Sequence, residues 1–418
     1  MIIHSRMFLK GSALLEKTGE ADIVVGIMSR NDSGTVRHVA EQAASGLRMY
    51  LRDLKAVMVN MDCGSTDGTP EEFQRADIHR AVTFLTLDHG KDHLPPAHLL
   101  FKCAEVLNAS LVIVLSGASP SITPLWPLRL ASPLLEGGCQ YVSPLYYENP
   151  CHHAMRDFLV FPLFSSLYGV RVRNPFPGDY AVNGKSLPEL LNPECEELHI
   201  TAGAAFPLMR ALQMKWDIGE SLLGTRKGRQ EFFPALERQA EHFTGTFAVL
   251  LDRTEKLFSE RGAPEAPRQF GEARSEYLPF EGVTAESLWE HFTKGLRNLE
   301  HMACEVFSRP SMRAIGELAA LPLRLGAFPG KLWAKVASEL ILAMMERRDG
   351  KGPESEKFQA GAASLLTALL CARLMPAVRD STCHSVEAME EIVAGGAGEF
   401  LEERQPFLER LKSCYFPG

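Results

Sequence analysis

The chain has 418 residues, with 44 Lys and Arg against 52 Asp and Glu, for a formal net charge of -8 at neutral pH. This acidic balance, with a pI near 5.9, speaks against a nucleic-acid partner, whose phosphates need clustered cations to offset it. A small anion such as a diphosphate stays open, because a few amides and cations suffice to hold one.

The length allows one large domain with an extension, or two unequal domains. Nine cysteines are scattered without a C-x-x-C pair, the pattern of reduced thiols packed as small core residues. The first twenty residues lack a sustained apolar stretch and a small-residue cleavage site, and apolar runs such as Leu340 to Met345 are too short to span a bilayer. A cytoplasmic protein with no transmembrane segment is expected.

From Ala21 the sequence alternates strand-like and helix-like segments, as in a mainly parallel sheet covered by helices. Ile23 to Ile27 reads as a strand, Ser29 to Gly34 as a polar loop, and Thr35 to Leu51 as a helix. Lys55 to Met61 is a second strand followed by the loop Asp62 to Thr69, and Ala81 to Leu87 is a third. Pro96 to Leu107 then reads as a helix, and Ser110 to Leu115 as a buried fourth strand. In such sheets ligands sit beyond the carboxyl ends of the strands, so the loops after Ile27, Met61, Leu87 and Leu115 should converge. After about residue 240 strands disappear, and helical periodicity marks Leu288 to Phe307, Ser311 to Leu325, Leu332 to Arg347 and Phe358 to Met375. The polar segment Arg261 to Gly271 reads as a linker or long surface loop.

The loop Asp62-Cys63-Gly64-Ser65-Thr66-Asp67-Gly68-Thr69 has glycines for a tight turn and a carboxylate at a strand end that can accept from a base imide or a ribose. By itself it is equally well a turn with an N-cap. Together with Ser29-Arg30-Asn31-Asp32 after the first strand, it resembles the family-2-like glycosyltransferases. ADIVVGIMSRNDSGTVRHV, VNMDCGSTDGT, Gly90-Lys91, SITPLWP and LYGVRVRNPFPGDYAVNG narrow the resemblance to the retaining glucosyl-3-phosphoglycerate and mannosylglycerate synthase group, over roughly residues 20 to 250. In that group the last motif reads close to YGxRVRQPxGGDFGxSG.

The resemblance implies an α/β fold of the GT-A class, a Rossmann-like mixed sheet flanked by helices, in a nucleotide-sugar-binding domain over 1–250, followed by an all-α region over 251–418. It implies a nucleoside-diphosphate sugar, UDP- or GDP-linked, and a small, anionic acceptor. Ser29 and Asp32 would lie by base and ribose, Asp62 by the base, and Lys91, Ser116 and Arg226 by the diphosphate or sugar. Asp179 and His199 are the catalytic candidates, and Arg171 and Arg173, alternating along a strand, the acceptor contacts. Lys91 read alone is a solvated loop lysine, Asp179 a turn cap, His199 a structural histidine, and the two arginines partners in salt bridges.

The same resemblance implies Mg2+ or Mn2+ held by an Asp-x-Asp at the end of the fourth strand. Ser116-Gly117-Ala118 stands there instead, Lys227-Gly228-Arg229 stands where a ligand histidine is expected, and His199 replaces an aspartate. Two readings follow: metal-free transfer, in which Arg226, Lys227 and Arg229, by themselves a solvated loop run, meet the diphosphate, or a nucleotide-sugar or protein binder without transfer. His152 and His153 are adjacent, and in an extended segment they point to opposite faces, which argues against a shared metal. The helical region offers a surface for a homodimer.

Overall fold

The computed structural model describes residues 19–78, 82–88, 95–148, 153–226, 231–258, 264–272, 283–323, 326–347, 350, 352–380 and 385–415. The backbone forms two compact units, one of 1–146, 174–227 and 267–273, the other of 147–173, 228–266 and 274–418.

The first unit is built on β1 (Ile23–Ser29), β2 (Ala56–Asp62), β3 (Val82–Asp88), β4 (Leu111–Ser116), β5 (Tyr141–Glu148), β6 (Tyr180–Asn183), β7 (Ile218–Arg226) and β8 (Arg268–Phe270), in the sheet order β3-β2-β1-β4-β6-β5-β7-β8. β1 pairs in parallel with β2 and β4, and β2 with β3. β6 runs antiparallel to β4 and β5, which makes the sheet mixed. The central strands are apolar on both faces: every residue of β2 is buried, as are six of the seven in β1. Such continuous runs are what strands covered on both sides require.

The first helix, α1 (Val36–Tyr50), buries Val36, Val39, Ala40, Ala43 and Leu47, a stripe at helical spacing. It crosses α4 (Leu125–Leu135) so closely that a Cβ at Gly46 would stand 2.1 Å from the Pro124 carbonyl oxygen. The core beneath them takes in Ile23, Val25, Ile27, Ile113, Leu115, Trp126 and Leu130. Two further helices, α2 (Thr69–Gln74) and α3 (Pro96–Val106), complete the first half.

Several sequence expectations change here. Ser29 ends β1 rather than opening a loop. The segment read as a linker contributes β8, parallel to β7 through Gly219↔Arg268 and Ser221↔Phe270, so strands continue past residue 240. Three residues are too few to show a period of two. Arg171 and Arg173 lie on no strand: Val170 makes an isolated bridge to Glu265, and the chain leaves it at once.

The second unit is helical. It contains α5 (Phe161–Tyr168), which follows a π-turn over Arg156–Val160. The next helices in the chain, α6 (Glu196–Ala202) and α7 (Phe206–Gln213), belong to the first unit. The second continues with α8 (Phe232–Thr254), α9 (Ala285–Asn298), α10 (Glu300–Val306), α11 (Arg309–Ala319), α12 (Gly330–Glu346), α13 (Pro353–Arg379) and α14 (Val386–Tyr415). The periodic stretch 288–307 is two helices, broken at Leu299 (φ -115°, ψ 18°). The capping box of Thr284 and Ser287 starts α9. α9 and α8 pack on α13, and α14 packs on α5 and α12. Within the unit Tyr168 shares a hydrogen bond with Thr254, 2.5 Å between oxygens, and Trp333 Nε1 donates to the Phe158 carbonyl at 2.6 Å. By length and composition α13 is long and apolar enough to cross a membrane, and 72% of its apolar window is buried inside the protein.

Candidate functional site

Parallel register brings Ser29 opposite Asp62 and Met28 opposite Ser116, so β1, β2 and β4 end along one edge. The loops leaving that edge are tied to one another by side chains. Asn31, in left-handed backbone (φ 55°), accepts from Thr66 N at 2.9 Å through Oδ1, and its own amide donates to Ser65 Oγ at 2.9 Å. Asp67 accepts from Ser33 N at 3.0 Å and from Thr69 N and Oγ1 at 3.1 and 2.6 Å. Thr69 Oγ1 in turn accepts from Asp32 N at 2.8 Å. The β4 loop joins through Gly117, whose amide donates to the Met28 carbonyl at 2.7 Å and whose carbonyl accepts from Thr35 Oγ1 at 2.7 Å. Gly64 (φ 78°) and Gly68 (φ 87°) take turns that side chains resist. The result is a cradle of three loops tied to one another by hydrogen bonds.

Within it Asp62 is 4% exposed. Its Oδ2 accepts from the amides of Gly64 at 3.2 Å and Ser65 at 3.0 Å. Its Oδ1, also buried, has no hydrogen-bond partner among the described residues. Two residues earlier, Asn60 takes Ser29 Oγ on its Oδ1 at 2.7 Å, while its Nδ2 has no partner among the described residues. An acceptor and a donor thus stand unsatisfied on the same face of one strand. Sequence reasoning passed over Asn60, although a lone amide in the apolar run Ala56–Asp62 was the available signal.

Charge at the cradle is acidic. Burial pushes the Asp32 carboxyl above its ordinary range against the opposing hydrogen bond from the Arg30 amide, and Asp67 and Asp62 add to the rise. Asp67 is held well below the carboxylate range, chiefly by the Thr69 hydroxyl. Burial, then Asp62, pushes the Cys63 thiol up to about 11, so it is no nucleophile at neutral pH.

At the end of β4, Ser116 N donates to Asp179 Oδ1 at 2.8 Å, and Tyr146 Oη donates to Asp179 Oδ2 at 2.5 Å. Asp179 is fully buried, at 0% exposure. The Tyr146 ring leans on Trp126, centroids 5.4 Å apart, and carries the Arg226 guanidinium 4.9 Å from its centre. Tyr146, another residue the sequence gave no reason to single out, therefore joins Asp179 to Arg226.

The remaining candidates lie elsewhere. Arg171 and Arg173 belong to the second unit. The Arg171 amide donates to the Glu265 carbonyl at 2.8 Å. Arg173 pairs with Asp157 at 3.2 Å and Glu390 at 3.0 Å, and lies 5.1 Å from the Phe161 ring centre. In the same network Arg156 bridges Glu148 and Asp157 at 2.8 Å each, and His153 meets Glu148 at 2.5 Å. His199 sits on α6. Lys91, His152, Lys227 and Arg229 lie outside the described residues. Cys63, Cys103, Cys139, Cys195 and Cys304 are free thiols.

A divalent cation of the kind the resemblance implies needs carboxylates at the β4 end. Ser116, Gly117 and Ala118 supply none. The nearby Asp179 is buried with each oxygen already accepting a hydrogen bond, and among the described residues no three His, Cys, Asp or Glu gather to hold a metal. The donor set at this corner does not fit a Mg2+ or Mn2+ site.

The helix-flanked mixed sheet with a helical region after it is the fold class expected of a GT-A protein. No family model matches the chain, and no curated protein does. Among solved structures it is similar to glucosyl-3-phosphoglycerate synthase from Mycobacterium tuberculosis in complex with Mn2+, UDP and glucosyl-3-phosphoglycerate, at 19% identity and a TM-score of 0.43, covering 62% of this chain and 85% of that one. It is also similar to mannosyl-3-phosphoglycerate synthase from Rubrobacter xylanophilus, at 15% identity and a TM-score of 0.39, covering 58% and 77%. Likenesses of this size carry no conclusion about activity.

Proposed function

We propose that the first unit binds a nucleoside-diphosphate sugar and transfers its sugar to a small anionic acceptor. The observation that carries the reading is the buried Oδ1 of Asp62, without a partner among the described residues, inside a cradle stitched from three loops. Leaving a buried carboxylate oxygen unsatisfied costs about 1–3 kcal/mol, which a donor such as a base imide N–H would recover on binding. Ser29, held by Asn60, and Asp32, fixed by Arg30 and Thr69, flank the position where base and ribose would lie. Open-sheet proteins bind their ligands at this carboxyl edge.

Asp179 stands under the sugar position in this reading and acts on geometry rather than as a base: its carboxylate fixes the Ser116 amide and the Tyr146 hydroxyl. That engagement also favours a second reading, a nucleotide-sugar binder that performs no transfer. A thermal-shift screen against UDP, GDP, UDP-glucose and GDP-mannose tests binding, since a ligand of the folded state raises Tm by mass action. Donor consumption in the presence of phosphorylated or carboxylated three-carbon acceptors then separates transfer from binding. A shift without consumption selects the second reading, and no shift with any of the four rejects both.

A further inference from the structure

The corner where the resemblance implies a metal holds a fixed cation instead. Arg226, the last residue of β7, lies over the Tyr146 ring at 4.9 Å, and it is half-buried. The ring cannot drift, because its hydroxyl is tied to Asp179 and its face leans on Trp126. Two residues before Arg226, Gly224 adopts φ +109°, and the place of its absent Cβ lies 3.5 Å from Arg129 Nη1. Arg129 thus brings a second guanidinium to the same end of β7.

A diphosphate leaving a sugar needs positive charge, and a guanidinium supplies it with a planar fork that fits two phosphate oxygens. Carboxylates at positions 116 and 118 would compete for that fork; Ser116 and Ala118 do not. Asp179 turns its oxygens to Ser116 N and Tyr146 Oη.

We propose that Arg226, braced on Tyr146 and assisted by Arg129, binds the diphosphate in place of a divalent cation, so that the protein takes nucleoside diphosphates without metal. The proposal rests on the nucleotide-binding reading above.

The test is calorimetric titration of UDP, and separately of uridine, into the full chain in excess EDTA and in saturating Mn2+. The UDP Kd should be the same in both buffers, within about twofold. Arg226→Gln should weaken UDP by about tenfold to a hundredfold, the loss of a hydrogen bond between charged groups, and leave uridine unchanged. Arg226→Lys should recover part of the loss. UDP binding that requires Mn2+, or an Arg226→Gln protein with wild-type UDP affinity, overturns the metal-free site and leaves the nucleotide reading standing. Absence of UDP binding in both buffers overturns the two together. The buffer comparison uses the unaltered protein and does not depend on whether a variant folds.

Discussion

At the end of β2, Asp62 gives one carboxylate oxygen to the amides of its own loop and keeps the other without a partner among the described residues. At the end of β4 on the same sheet edge, Asp179 gives one oxygen to a backbone amide and the other to a phenol, and is wholly buried. One corner keeps a hydrogen-bonding demand unmet among the described residues, the position that the proposed function gives to a ligand. The other has turned its acid into a strut. Stability and binding should therefore separate: removing the strut harms the fold, and removing the open acid harms recognition.

The second unit holds a network of ion pairs, and the largest effect is expected there. Replacing the buried Asp157 by Ala leaves the half-buried Arg156 and Arg173 without their shared partner, and should cost about 3 kcal/mol in urea unfolding. The same network sets the acid response. Burial alone would raise the Asp157 carboxyl, but Arg156 and Arg173 hold it well below the ordinary range. Its folded value lies below its unfolded one, so its stabilisation is complete above about pH 5 and is lost progressively as pH falls from the unfolded value of about 3.9 towards the folded one. Burial lowers His153, with Glu148 opposing. The unfolded chain therefore binds the extra proton, and stability should begin to fall below about pH 6.5. Melting curves from pH 8 to about pH 2 should show both stages, and His153→Gln should flatten the upper one only.

Next in size, Asp179→Ala leaves the Tyr146 hydroxyl and the Ser116 amide without their acceptor, at a cost of about 3 kcal/mol. Asp62→Ala should reverse the pattern. It gives up two bonds to loop amides but also removes repulsion from Asp32, so stability should move by less than about 1 kcal/mol, while nucleotide affinity falls about tenfold or more. Equal losses of stability in the two variants would erase the distinction. The smallest effect belongs to Gly117→Ala, whose Cβ would stand 3.0 Å from Asp32 Oδ2 and from Ser29 Cβ. The cradle must open by a few tenths of an ångström, and a drop of about 1 kcal/mol should appear in the same urea experiment.

Much of the cradle was legible in the sequence because its chemistry is local: the apolar runs at Ile23 and Ala56 fix two strands, and the glycines and short polar side chains after them fix the turns. Asp179 could be flagged from its motif, but its burial could not, since that depends on Tyr146, thirty-three residues away along the chain. Arg226 was visible as a cation and invisible as one seated on an aromatic ring. The strand β8 lacked the length to show a pattern, and α14 was missed because Gly395, Gly396, Gly398 and Pro406 interrupt its propensity. Its apolar face on α5 and α12 holds it in spite of them.

The measurement that bears most directly on the whole account is the calorimetric titration of UDP into the wild-type protein and into Asp62→Ala, with urea unfolding of both. Saturable binding to the wild type, weakened about tenfold or more in a variant of nearly unchanged stability, is the predicted result. Equal affinity in the two proteins, or no binding to the wild type, would contradict the claim that the open oxygen of Asp62 marks a nucleotide site.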